Sequence, residues 1–329
     1  MDNKEVVLGS KFYIDSIKQQ GQTHFIRHFL NSKRTKSENT SKSYEKDILD
    51  FFNVENVEEI SLEDIRKVNI FHAESYIMYL KEQGYSSATI NRKLSSLSSL
   101  YGWLLKFSKN YEGRGIISFN PFSSLKEERP TIVNKETEFL TKDEVIKLLN
   151  SIDTDSLIGL RNKAILSLAL TTALRKSEII NIKIKDIKTY GEFDVVNVIR
   201  KGGKQDIVKL QSKVKELIVE YIHRSNRDLY EDEDSYLFLG HSTNGLNNKK
   251  LNPNSLNLII DKVTKEAGIK KKLRVHSTRH TAITMAIMEG ASAEKIRDFA
   301  AHKNLSTTNR YIHSVDKLKN NAGDLIDIL

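Results

Sequence analysis

A histidine and a tyrosine nine residues apart, His302 and Tyr311, close the stretch of this chain richest in reactive side chains. Upstream stand Arg175 within Ala173-Leu174-Arg175-Lys176-Ser177-Glu178, Lys201 within Arg200-Lys201-Gly202-Gly203-Lys204, and His276-Ser277-Thr278-Arg279. Together they offer a phenol nucleophile, planar guanidinium forks for phosphate oxygens, and groups that move protons. A phenol with an ordinary pKa of ~10 attacks poorly at neutral pH without such help. The set suits attack on a phosphodiester and calls for no metal ligand.

Each residue has a local reading. Arg175 ends a nearly continuous apolar run, Ala164–Leu170, where a charge must be paired or reach into a site. Glu178 can brace it at i,i+3. Lys201 is placed at the tip of a hairpin, where Arg200 and Lys204 compete with it for the same role. His276 and Arg279 share a face at the start of a helix continuing through Ala282, Ile283, Ala286 and Ile287, and helix N-termini favour anions. Lys270, Lys271, Lys272 and Arg274 precede them, a run that also suits a solvated loop. His302 follows a short helix begun by Ser292, and Ser306 with its threonine neighbours is expected to cap the helix carrying Tyr311. His24 and His28 are spaced i,i+4, but the residues between them lack a metalloprotease glutamate. No metal and no cofactor are expected.

The elements that must position these groups fall into two parts, with a mainly α fold overall. Over 20–128 the pattern is helical. Thr40 and Ser41 lead into a stripe of Tyr44, Ile48 and Phe51 or Phe52, while Ile90, Leu94, Leu97, Tyr101 and Leu104 give a second helix one buried face. That helix's other face carries Asn91, Arg92, Ser95 and Ser99, suited to a phosphate backbone or to plain solvent. Periodicity stops around Pro121 and Pro130, so 129–138 is read as a linker. Thr141 and Glu144 have capping-box spacing and restart a helix within a second domain, 139–329. Segments 193–199 and 207–210, flanking Gly202-Gly203, predict an antiparallel hairpin. Asp228–Asp234 reads as a solvated acidic loop.

A net charge of +9 favours a polyanionic partner, and the absence of cysteine excludes disulfides, thiolate zinc sites and cysteine nucleophiles. No apolar run approaches the ~20 residues of a membrane span, and the start, Met1 to Glu5, lacks a secretory pattern. A cytoplasmic protein is expected.

In order and spacing, Arg175, Lys201, His276-x-x-Arg279, His302 and Tyr311 resemble the tyrosine recombinase (phage integrase) family over ~140–315. The N-terminal helices resemble its core-binding, SAM-like domain more loosely over ~20–125. The resemblance implies a mixed α/β catalytic domain with a small antiparallel sheet. It also implies a 3′-phosphotyrosyl link formed by Tyr311, without metal or ATP. Arg175, Arg279 and His302 would then hold phosphate oxygens, Lys201 would protonate the leaving 5′-oxygen, and His276 would accept the phenol proton. Arg92, Lys204, Lys271 and Arg274 are the further side chains expected to meet DNA. Implied partners are double-stranded DNA with paired inverted repeats, a homotetramer on two such sites, and related recombinases or accessory proteins.

Three departures stand out: Ala300-Ala301-His302 replaces the usual Leu-Gly-His, Ala173 replaces a common glycine, and Asp206 stands where a basic residue is frequent. A type IB topoisomerase and a helix-turn-helix regulator over 276–311 are the competing readings. After Tyr311 the tail ends in four large aliphatics among residues 324–329, expected to dock in cis or into a neighbouring copy.

Overall fold

The computed structural model describes residues 24–35, 37–108, 117–125, 127–132, 138–241 and 249–319. The tail at 324–329 lies outside them. The chain forms two compact units, Met1–Lys135 and Glu136–Leu329.

The first unit is helical: α1 (Phe25–Arg34), α2 (Glu38–Phe52), α3 (Leu62–Lys67), α4 (Ile70–Glu82) and α5 (Ser87–Ser108). The α2 cap is Ser37, whose hydroxyl accepts the Thr40 N–H, so the helix begins a turn before the expected Thr40 and Ser41. Ile90, Leu94, Leu97, Tyr101 and Leu104 are all buried along α5, as their spacing predicts. Each such side chain contributes roughly 1.5–3 kcal/mol by leaving water.

The opposite face of α5 is tied down from within. Asn91 Nδ2 donates to the Pro130 carbonyl at 2.7 Å, and the Arg129 guanidinium reaches Ser95 Oγ at 3.3 Å. Arg92, half-exposed, pairs with the fully buried Asp47. Lys93, its neighbour, is only 4% exposed and pairs with Asp50 and Asp47. A buried carboxylate demands such partners. Part of the charge read as facing DNA therefore neutralises this unit's own core.

The second unit opens on α6 (Lys142–Asn150), with Thr141 and Glu144 forming the expected capping box. It continues through α7 (Leu157–Thr172), α8 (Lys176–Asn181), α9 (Ser212–Arg224), α10 (Pro253–Glu266), α11 (Val275–Met288), α12 (Ala293–Phe299) and α13 (Leu305–Lys319). Almost every turn of α7 is buried, so it is the central rod of the main core, with α9 and α11 packed against it. The predicted hairpin is present as β2 (Phe193–Ile199) and β3 (Gln205–Lys209). Its five-residue turn is closed by Arg200 N–H to Lys204 carbonyl at 2.7 Å, with Gly202 and Gly203 at positive φ.

A third strand, β1 (Ile187–Tyr190), pairs antiparallel with β2, giving the order β1-β2-β3. Its Ile-Lys-Thr-Tyr is too short and too polar to signal a strand by alternation, and pairing with β2 decides it. A second small antiparallel pair joins β4 (Leu239–Gly240) to β5 (Lys249–Lys250). The mainly helical chain with a small antiparallel sheet agrees with the sequence reading. Among the described residues no helix is long and apolar enough to cross a membrane.

Candidate active site

The site assembles where three connections of the second unit meet one further helix. The first follows α7, where Ala173 turns the chain in the left-handed region at φ 51° and delivers Arg175 to the N-cap of α8. There Glu178 does two jobs. Its Oε2 accepts the Arg175 backbone N–H at 2.7 Å, and its Oε1 accepts from the Arg175 guanidinium at 2.9 Å. The i,i+3 brace expected from sequence is thus present.

Glu178 is itself buried and takes a second guanidinium, that of Arg200, at 2.9 Å. Arg200 in turn binds Asp206 at 2.9 Å. The aspartate standing where a basic residue is frequent therefore completes an Arg175–Glu178–Arg200–Asp206 chain. Arg200 is 7% exposed and committed to this chain, so it does not compete with Lys201. Lys201 and Lys204 stay exposed in the turn.

The second connection is the start of α11. His276 sits in its first turn and faces solvent, while Arg279, one turn on, is buried. Arg279 spreads its fork between the carbonyls of Ala173 and Ala300. Burial, then the nearby charge of Arg175, lowers its pKa to about 10, which leaves it a cation at neutral pH. Although part of its ring meets solvent, desolvation of the remainder, then the charges of Arg279 and Arg175, lowers His276 below the usual histidine value. A neutral imidazole can accept a proton.

The third connection follows α12. Ala301 has φ 46°, and its carbonyl faces the Arg175 guanidinium at 3.4 Å. Both alanines standing in for common glycines, Ala173 and Ala301, hold a left-handed backbone whose carbonyls an arginine engages. His302 then bonds through Nδ1 to the Thr308 hydroxyl at 2.9 Å. Burial, with Arg279 and Arg175 adding to it, brings His302 down to about 4. It enters the site as a neutral hydrogen-bonding ring.

The last element, α13, starts at Leu305, so Ser306 lies inside its first turn rather than capping it. Thr308 is wholly buried, and Tyr311 follows one turn later. Tyr311 is half-buried, with its ring 5.8 Å from that of His302 at 21° and 4.8 Å from that of His280 at 47°. Burial raises the phenol's pKa, opposed by the charges of Arg279 and Arg310. Left alone, this tyrosine stays protonated. His280, Thr308 and the bracing role of Arg200 escaped the sequence reading, although His280 shares its helix face with His276 at i,i+4.

Of the remaining basic candidates, Arg274 forms the N-cap of α11 and is exposed. Lys271 is turned inward, its ammonium donating to Glu144 at 2.6 Å and to the Phe139 carbonyl at 2.9 Å. Among the described residues no group of three or more histidines and carboxylates could hold a metal ion.

A family model described as the phage integrase family matches residues 138–317, and one described as its N-terminal SAM-like domain matches 24–106. A tyrosine recombinase of Pseudothermotoga lettingae is 32% identical over 298 residues, covering 89% of this chain and 94% of that protein. Tyrosine recombinase XerD of Listeria monocytogenes (serotype 4b, strain F2365) is 28% identical over 294 residues, covering 89% and 93%. The fold has a solved counterpart in the XerH site-specific recombinase bound to palindromic difH substrate. That likeness has a TM-score of 0.63 at 20% identity and spans 79% of this chain and 72% of that one. The region read alternatively as a helix-turn-helix regulator falls inside the integrase match. With that match spanning more than half its length, the chain belongs to the phage integrase family, the tyrosine recombinases.

Proposed function

We propose that this chain is a site-specific DNA recombinase that cuts and rejoins DNA through a 3′-phosphotyrosyl intermediate. The observation that carries the reading is the gathering of Arg175, Arg279, His302 and Tyr311 around one spot. The Arg279 charge and the neutral His302 ring act on the phenol, and the Arg175 guanidinium reaches the carbonyl of Ala301, next to His302. In the reaction, the Tyr311 oxygen bonds to phosphorus as the bond to the 5′-oxygen breaks. His276, held neutral, accepts the phenol proton. Lys201, on its exposed hairpin turn, delivers a proton to the leaving 5′-oxygen. The Arg175 and Arg279 forks and the His302 ring hold the charge that builds on the other phosphate oxygens. Glu178 positions Arg175.

The phosphotyrosyl ester conserves the energy of the broken bond, so a 5′-hydroxyl from a partner strand can reverse the step without ATP. Neither half-reaction calls on a metal. The substrate is double-stranded DNA with paired inverted repeats of ~11–13 base pairs, about one helical turn per half-site. Four copies act on two such sites, as a mobile-element integrase or as a Xer-like, resolvase-like enzyme. Residues 20–128 serve as the core-binding domain, 129–138 as linker and 139–329 as the catalytic domain. Arg274 and Lys204, both exposed, are the added contacts that suit DNA best.

Covalent capture tests this. The protein is incubated with sheared total DNA of its source organism, stripped in detergent, and the attached fragments are sequenced. One recurring site with inverted repeats is expected, and Tyr311→Phe should capture none. Capture by that variant, or captured fragments sharing no sequence, would overturn the reading.

A further inference from the structure

Tyr311 lies in a row of rings. Phe139 meets His280 at 5.9 Å and 66°, His280 meets Tyr311 at 4.8 Å and 47°, and Tyr311 meets His302 at 5.8 Å and 21°. His302 is held by Thr308 from behind. The other end of the row is fastened with more bonds. The Leu140 N–H donates to Thr281 Oγ at 3.0 Å, and the Lys272 N–H donates to the Glu138 carboxylate at 2.9 Å. Between them, the Phe139 carbonyl accepts from Lys271, whose ammonium also grips Glu144. Residues 138–140 are thus stapled to α11 and the segment leading into it, with the Phe139 ring set at a steep angle against His280.

We propose that His280 is a positioning residue for Tyr311: backed by Phe139, its ring fixes where the phenol stands. This rests on the reading of Tyr311 as nucleophile. The physical need is plain. A half-buried ring on a helix can swing about its side-chain bonds, yet in-line attack requires its oxygen within a fraction of an ångström of one place. His302 offers a nearly parallel ring. His280 adds a second, tilted ring closer in, so two rings limit where the phenol can swing. His280 follows Arg279 directly and lies one turn beyond His276, so the helix that presents phosphate ligands also sets the nucleophile. The role asked of His280 is that of a flat ring, and the reacting proton goes elsewhere.

The test uses the full chain and a nicked duplex of the site recovered by covalent capture, which traps the intermediate. Single-turnover adduct formation and DNA affinity are measured for His280→Ala, His280→Phe and Phe139→Ala, beside wild type and Tyr311→Phe. His280→Ala should bind DNA as wild type does and lose cleavage by about 10²-fold, the cost of an ångström of misplacement. His280→Phe should restore most of the rate with the pH profile unchanged in shape, because it replaces the ring. Phe139→Ala should lose less, about tenfold, because the ring it supports remains. Wild-type cleavage in His280→Ala, or a His280→Phe protein as slow as the alanine variant, would overturn the proposal. Should His280→Ala fail to fold and bind, Phe139→Ala at the wild-type rate would overturn it equally. An adduct in Tyr311→Phe would instead remove the nucleophile assignment, and this proposal with it.

Discussion

Replacing Glu178 by glutamine changes one oxygen to an amide in the most crowded charge cluster of the second unit. Oε2 serves the Arg175 N–H and the Arg200 guanidinium, and Oε1 serves the Arg175 guanidinium. The best amide orientation keeps its oxygen at the Oε2 position, so its NH2 points at the Arg175 guanidinium, donor against donor. Arg175 is 35% exposed, and water screens most of that loss to under ~1 kcal/mol. Arg200 is 7% exposed and keeps only Asp206, itself 37% exposed, as counter-charge. A buried pair broken on one side costs roughly 3–5 kcal/mol, and the retained neutral hydrogen bond returns about 1.

The expected loss is therefore about 2–4 kcal/mol, read as a shift of roughly 1–2 M in the second unit's urea midpoint. Adding Arg200→Met should recover much of it, since the stranded charge is the main cost. A loss below about 1 kcal/mol, or no recovery in the double variant, would refute the argument that Arg200 is a buried partner of Glu178.

Ala301→Gly should stabilise by about 0.5–1 kcal/mol, because a left-handed alanine costs roughly 1–2 kcal/mol and glycine's extra freedom about 0.5–1. Ala173→Gly should be close to neutral, since its wholly buried methyl offsets the same relief by about 0.8 kcal/mol; thermal melting compares the two. Acid should weaken the fold through His302. Its folded pKa of about 4 lies below the unfolded 6.5, so between those values the unfolded chain takes up a proton the site refuses. Stability should fall from pH 6.5 to 4 with no such term above, and His302→Asn should flatten the slope in urea titrations. Lys201→Ala should fail on ordinary DNA and recover on a 5′-bridging sulfur substrate, whose leaving group needs no proton. The same pattern in Lys204→Ala instead would move the role to Lys204.

What was legible in the chain were features with a local cause. The period of Ile90 to Leu104, the Thr141–Glu144 box and the glycine turn at 202–203 each act within one element, and each stands as read. The six candidate residues were singled out through their order, and the second unit brings Arg175, Arg279, His302 and Tyr311 near one another. What escaped depends on contacts distant in sequence. Lys271 looked like solvated charge until Glu144, far back in the chain, turned it inward. Arg200 looked like a rival to Lys201 until Glu178 and Asp206 bracketed it. Arg92 was read for DNA because Asp47, its buried partner, sits in another helix. The two alanines were visible as departures, but their left-handed backbone was not, since nothing about alanine announces positive φ.

The defining bond of the proposed reaction joins Tyr311 to a DNA 3′-phosphate. The measurement that reaches it directly is mass spectrometry of the wild-type protein trapped on the nicked duplex, digested with nuclease and protease. A nucleotide mass on the peptide carrying Tyr311, joined through its 3′-phosphate with a free 5′-hydroxyl on the released strand, is the predicted result. The mass on any other residue, or a 5′-phosphate linkage, would contradict it.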